Sequence, residues 1–156
     1  MSVPGTDVAA AGLRAAVVGQ PSKEDEMPRQ DVNPSALHPA PGFSHVSVAQ
    51  GTRLVHFAGQ LGLDQQFGIV GGDDLREQTK AAMRNLETAM KEVGVGWDDI
   101  VRRTIYTLQP TEYETITAAI DEVTGGAAHP AQTIVGVTGL AVPGCLIEIE
   151  CTASVD

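Results

Sequence analysis

Two carboxylates near the C-terminus raise the first chemical question. Glu148 and Glu150 stand two residues apart in LIEIECTASV (146–155). That segment alternates as a strand does, so both side chains leave one face about 6–7 Å apart. Carboxylates on an otherwise apolar sheet cost free energy unless they meet an arginine, backbone N–H groups or a ligand. One reading pairs them across an interface with Arg53, Arg102 or Arg103. The other gives one of them a place in a site, as general acid or base. The remaining candidates carry less. The glycines of GQLGLDQQFG and GVGWDD match neither phosphate-binding pattern and read as turn formers. His38, His45, His56 and His129 lack the H-x-x-x-H type of spacing, so no metal site is expected. No G-x-S-x-G elbow is present. Cys145 and Cys151 fall in one strand-like segment, where they would lie about 20 Å apart and cannot bridge. They read as the reduced thiols of an intracellular, cytoplasmic protein. Arg102-Arg103 is too small for a nucleic-acid patch and reads as a solvated edge or an ion-pair partner.

The elements that must position these residues follow from composition and period. The chain has 156 residues, 42% hydrophobic and 19% charged, which suits one domain with its own core. A net charge of −10 argues against a nucleic-acid partner and against docking on an anionic membrane. No apolar run approaches ~20 residues, so no spanning helix is expected. The N-terminus lacks a basic start before its Ala/Val stretch, which argues against a signal peptide.

Residues 1–36 read as an N-terminal extension: a short helix over 7–18, then a polar, Pro-punctuated linker or arm over 20–36. The domain proper is placed at 37–156. Ser44 to Ala49 and Thr52 to Ala58 read as a hairpin closed by Gln50-Gly51. Asp74 with Glu77 opens a helix carrying Leu75, Thr79, Ala82, Met83, Leu86, Met90 and Val93 on one side, stopped by Gly94. A strand follows over 101–108. A second helix starts at a Thr111–Glu114 box, with Tyr113, Ile116, Ile120 and Val123 as its apolar face. Strands over 133–137 and 146–155 complete the order β-β-α-β-α-β-β. An α/β (α+β) fold is expected, a mixed β-sheet with two helices on one face. Its bare face would carry His56, Ala58, Thr104, Tyr106, Glu148 and Glu150, a mixture that suits solvent or an oligomer surface.

From about Asn33 to Val155 the chain resembles the RidA family, also called YjgF or endoribonuclease L-PSP. The stretches that carry the resemblance are VHFAGQLGLD (55–64), EQTKAAMRNLETAMKEVGVGWDDIVRRTIYTL (77–108), HPAQTIVGV (129–137) and GCLIEIECTASV (144–155). It implies a chorismate-mutase-like fold and a homotrimer with small-molecule sites in the clefts between subunits. It also implies hydrolysis of reactive enamines and imines to keto compounds and ammonia, with no metal or organic cofactor. Carried over position by position, the site departs from the family pattern. The arginine that follows P-A is Gln132, and the cysteine two residues on is Ile134. The tyrosine of a G-P-Y-S pattern is Phe43. The serine before G-Q is Ala58, with Gly59 and Gln60 kept. A pocket asparagine is Thr117. Glu148, first glutamate of E-I-E, is kept as the candidate catalytic residue that positions water.

Losing a bidentate arginine from a partly buried site costs on the order of 2–5 kcal/mol, a few powers of ten in affinity. Phe43, Ala58 and Ile134 make the pocket more apolar, so a less charged ligand is expected. Two readings stand side by side: an enzyme of the family's hydrolytic type with an altered substrate, and a non-catalytic trimer that binds or senses a small ligand. A ribonuclease comes last, because RNA would approach against the field of a −10 chain.

Overall fold

The apolar period of residues 75–90 builds the first long element. In the computed structural model, which describes residues 29–156, α1 runs Leu75–Glu92 and is capped by Asp74, whose carboxylate accepts from the Glu77 N–H at 3.1 Å. Leu75, Ala82, Met83, Leu86 and Met90 are buried along it. Val93, expected on this face, is the C-cap and is exposed. Gly94 ends the helix at φ +69°, a conformation that costs a Cβ-bearing residue but not glycine. The second helix, α2, is Tyr113–Thr124. It does not begin at the Thr111–Glu114 box. A turn closed by Glu112 N–H to the Gln109 carbonyl at 3.1 Å takes up Pro110 and Thr111, and Glu112 becomes the N-cap with no side-chain bond. The helix expected over 7–18 lies outside the described residues.

Among the described residues six strands accompany the helices: β1 Arg29–Val32, β2 Val46–Ala49, β3 Arg53–Leu61, β4 Ile100–Thr107, β5 Ala131–Gly136 and β6 Ile147–Val155. Four of them form one sheet in the order β3-β6-β4-β5, with β4 and β5 parallel and the other pairs antiparallel. The parallel pair needs a crossover, and α2 supplies it. Both helices cover one face, as expected. Ile105, Ile147 and Ile149 meet Met83, Leu86, Ile116 and Ile120 in a single core, each worth about 1.5–3 kcal/mol when fully buried.

The expected hairpin between residues 44–49 and 52–58 does not form. β2 pairs instead with β1 in a separate two-stranded ribbon, Arg29 opposite Ala49. Gly51 explains why. A tight two-residue hairpin turn needs positive φ, and Gly51 does not adopt it. Its N–H is held by Ser154 Oγ at 3.0 Å, and a side chain there would strike the Val155 backbone. β3 is thereby delivered to β6. Residues 29–32, grouped by the sequence with the extension, are a strand tied to the domain. Arg29 is buried, donates to the carbonyl oxygens of Ile100 and Ala128, and pairs with Asp31 at 2.9 Å. No helix among the described residues is long and apolar enough to cross a membrane.

Candidate functional site

A cavity of about 350 Å³ opens between the 38–43 loop, α2 and β5. Its walls are His38, Pro39, Pro41, Phe43, Tyr113, Thr117, Gln132 and Ile134. Four of the residues singled out in the sequence, Phe43, Thr117, Gln132 and Ile134, therefore meet. The loop is pinned to β5 by Ser44 N–H to the Pro130 carbonyl at 3.0 Å and by Ser44 Oγ to the His129 carbonyl at 2.8 Å. Gly42, at φ +77°, lies so close to Thr117 that any side chain there would collide with it. Tyr113 and His38 were not foreseen as lining. Tyr113 was assigned to the apolar face of the second helix. It is the first residue of α2, and it is half exposed.

Gln132 is not free in this cavity. Its Oε1 accepts from Arg103 Nε at 2.5 Å. Arg103 lies directly beside it in the β4/β5 register and is only 3% exposed. The guanidinium continues to His129 Nδ1 through Nη2 at 2.9 Å, and His129 Nε2 meets Asp121 Oδ1 at 2.9 Å. An arginine only donates, so His129 Nδ1 must accept and Nε2 must carry the proton. Burial first, and then the Arg103 charge, hold His129 below its ordinary pKa, with Asp121 opposing them. Burial also lowers Arg103 to about 10, so it stays a cation at neutral pH. Cys151, which is nearby, is pushed up to about 12 by burial and remains a thiol.

The sequence reading of Arg102-Arg103 as a solvated edge or ion-pair partner holds for Arg102 alone, which is exposed and donates to Thr133 Oγ1 at 2.8 Å. Period two carries the signal that was missed. With Ile105 and Thr107 facing the helices, Arg103 must face them too.

The other named residues form a second cluster. Gly59 passes so near the Glu148 carboxylate that a side chain at 59 would overlap it. Gln60 is opposite Ile149, and Leu61 is opposite Glu148, just past a register shift between Phe57 and Gln60. Ala58 is exposed beside them. Glu148 pairs with Tyr106 on the face away from the helices, whereas Gln132 and Ile134 share the helix side with Arg103 and Ile105. Two strand spacings and three residues along the strand separate Gln132 from Glu148, about 14 Å in all. One chain alone does not bring them together.

On the open face Glu150 accepts from Tyr106 Oη at 2.9 Å, a bond that raises the phenol pKa. Within the described residues neither Glu148 nor Glu150 is in an ion pair. A smaller hollow of about 200 Å³ lies there, with His56, Arg102, Thr104 and Glu150 around it.

The comparisons with known proteins agree with this fold. A profile of the family described as Endoribonuclease L-PSP matches residues 33–155. A protein of the conserved Rid family from Yersinia pestis is 35% identical and superposes with a TM-score of 0.77, covering 83% of this chain and 100% of its own. A RutC family protein of Synechocystis is 28% identical over 120 residues, 76% of this chain and 92% of the relative. A mouse protein named 2-iminobutanoate/2-iminopropanoate deaminase is 26% identical over 120 residues, 77% of this chain and 84% of its own length. The fold and residues 33–155 together show that the chain belongs to the RidA/YjgF family, the family also described as endoribonuclease L-PSP.

Proposed function

We propose that the chain hydrolyses imines or enamines of low charge, as a homotrimer whose sites lie between subunits. One observation carries this reading. The cavity of about 350 Å³ is walled by Pro39, Pro41, Phe43 and Ile134, and no lysine, arginine or carboxylate is among its described lining residues. The polar contribution comes from the Gln132 amide, the Thr117 and Tyr113 hydroxyls and His38. Such a cavity suits an apolar body with one or two polar atoms. A carboxylate guest would lose its hydration there without meeting a cation at contact distance.

The reaction consumes water. An enamine first tautomerises to the imine, water adds to the C=N carbon, and the carbinolamine expels ammonia to leave the carbonyl compound. In this reading Glu148 from a neighbouring subunit faces the cavity, orients the water and takes up its proton. The separation of Glu148 and Gln132 onto opposite faces of one sheet supports a shared site, since only a second chain can supply the missing half. The imine deaminase among the relatives supports the reaction class. The net charge of −10 weighs against RNA as substrate.

The second reading, a trimer that binds a small ligand without chemistry, is favoured by the lack of any carboxylate among the described residues that line the cavity. Ammonia release from imines generated in situ by an amino-acid oxidase separates the two. Hydrolysis is expected with imines of low charge and is expected to fall by about 10²-fold or more in Glu148→Gln. No rate above background on any imine would leave the binding reading in its place.

A further inference from the structure

We propose that Arg103 is a positioning residue for Gln132, and that the pair makes the cavity selective for a neutral oxygen acceptor, such as the carbonyl of an ester or amide, over a carboxylate. The inference rests on the cavity being a ligand site, the reading above, and goes beyond it by naming the group the ligand presents.

The geometry allows one orientation of the amide. All the nitrogens of Arg103 are donors, so the Gln132 oxygen must face Arg103 Nε and the Gln132 NH₂ must face away. Gln132 Nε2 has one long contact, 3.4 Å to the Gly42 carbonyl, and Gln132 lines the cavity. An N–H is thereby presented to whatever enters. The chain Asp121–His129–Arg103 holds this arrangement from behind. His129 accepts from Nη2 and is fixed in turn by Asp121. Arg103 is 3% exposed and bonded to both Gln132 and His129, so it cannot swing into the cavity without leaving them.

Two consequences follow for the ligand. A cation hydrogen-bonded to the amide oxygen polarises the amide and strengthens its N–H as a donor. The cation itself stays out of contact. Two hydrogen bonds and the width of an amide keep it about 7 Å from the ligand oxygen. A carbonyl oxygen gains the strengthened bond and loses little hydration. A carboxylate gains the same single bond but must shed a full shell of water in a cavity of proline, phenylalanine and isoleucine. A ligand group that only donates meets another donor and is rejected.

The test is a calorimetric titration of the full chain with two probes of one shape, methyl 4-methyl-2-oxopentanoate and 4-methyl-2-oxopentanoate. The wild type is expected to bind the ester at least tenfold more tightly than the acid. The swap Arg103→Gln with Gln132→Arg puts the guanidinium in the cavity and an amide behind it, and is expected to reverse the preference. An acid preference in the wild type, an unchanged preference in the swap, or no binding of either probe at millimolar concentration would each overturn the proposal.

Thermal melting reports whether the swap folds. If it does not, Arg103→Lys keeps a donor on the Gln132 oxygen and is expected to hold the ester preference within threefold. Arg103→Met is expected to lose at least fivefold of it, and equal behaviour of the two overturns the proposal. The titration involves no turnover, so a failure to release ammonia leaves it standing. Imine hydrolysis combined with an acid preference would overturn this inference and the low charge assigned to the substrate, while the reaction class proposed above would stand.

Discussion

Replacing Gln132 by arginine introduces the residue type that the family resemblance implies for this position, yet it is expected to destabilise this chain. The reason is Arg103, already buried at 3% exposure with its Nε–H on the Gln132 oxygen. Gln132→Arg removes that acceptor and sets a second guanidinium against the first. The lost bond to a charged donor costs about 1.5–3 kcal/mol. Two unit charges at 5 Å repel by about 3 kcal/mol with an effective dielectric near 20, less if the new side chain leans into the cavity. Together the loss is about 4–6 kcal/mol, on the order of 10–20 °C in Tm for a domain of this size. Gln132→Leu separates the two effects, because it loses the acceptor without adding charge, and about 1.5–3 kcal/mol is expected. Adding Arg103→Gln to Gln132→Arg removes the clash and should recover most of the stability. Urea titrations of the four proteins followed by circular dichroism provide the measurement. A Gln132→Arg protein as stable as Gln132→Leu would refute the reasoning, because the charge of Arg103 would then be of no account.

Three further outcomes follow from the same structure. His129 is held below its ordinary pKa of 6.5, so the unfolded chain binds the proton more readily than the fold. Stability is therefore full above about pH 6.5 and declines as pH falls through the folded value, a slope that His129→Asn should flatten in melts between pH 5 and 7.5. Gly59→Ala places a methyl where the Glu148 carboxylate lies. The carboxylate can move aside, so stability should change by less than about 1 kcal/mol, while imine hydrolysis drops toward the rate of Glu148→Gln. Gln78 is fully buried, donates to the carbonyls of Gly72 at 2.6 Å and Gly144 at 3.1 Å, and accepts from the Leu146 N–H at 2.8 Å. Gln78→Leu strands all three partners and should cost about 3–5 kcal/mol in chemical denaturation.

Much of the fold was legible because its signals are local. The Asp74–Glu77 start of α1, its apolar stripe and the alternation of β6 need no knowledge of distant residues. What the sequence hid is non-local. The Gln50-Gly51 turn reads as a hairpin until Ser154 and Val155 of β6 are seen to occupy its N–H and its flank. Nothing in RQDV announces β1, because its strongest anchor, Arg29, reaches carbonyls about 70 and 100 residues away. The site was half legible. Residue types fixed its apolar character at Phe43 and Ile134. Arg103 was read with Arg102 as a solvated edge or ion-pair partner and not as the buried cation behind Gln132, although the face of a period-two strand was there to be read. That Glu148 and Gln132 stand on opposite faces could be known only from the register of β4 with β5 and β6.

Whether a second chain completes the site is tested most directly by sedimentation equilibrium of the 156-residue chain. A species of about 49 kDa, three times the 16.3 kDa chain, is the predicted result. A stable 16.3 kDa monomer at micromolar concentration would contradict it, for then Glu148 would have no cavity to serve.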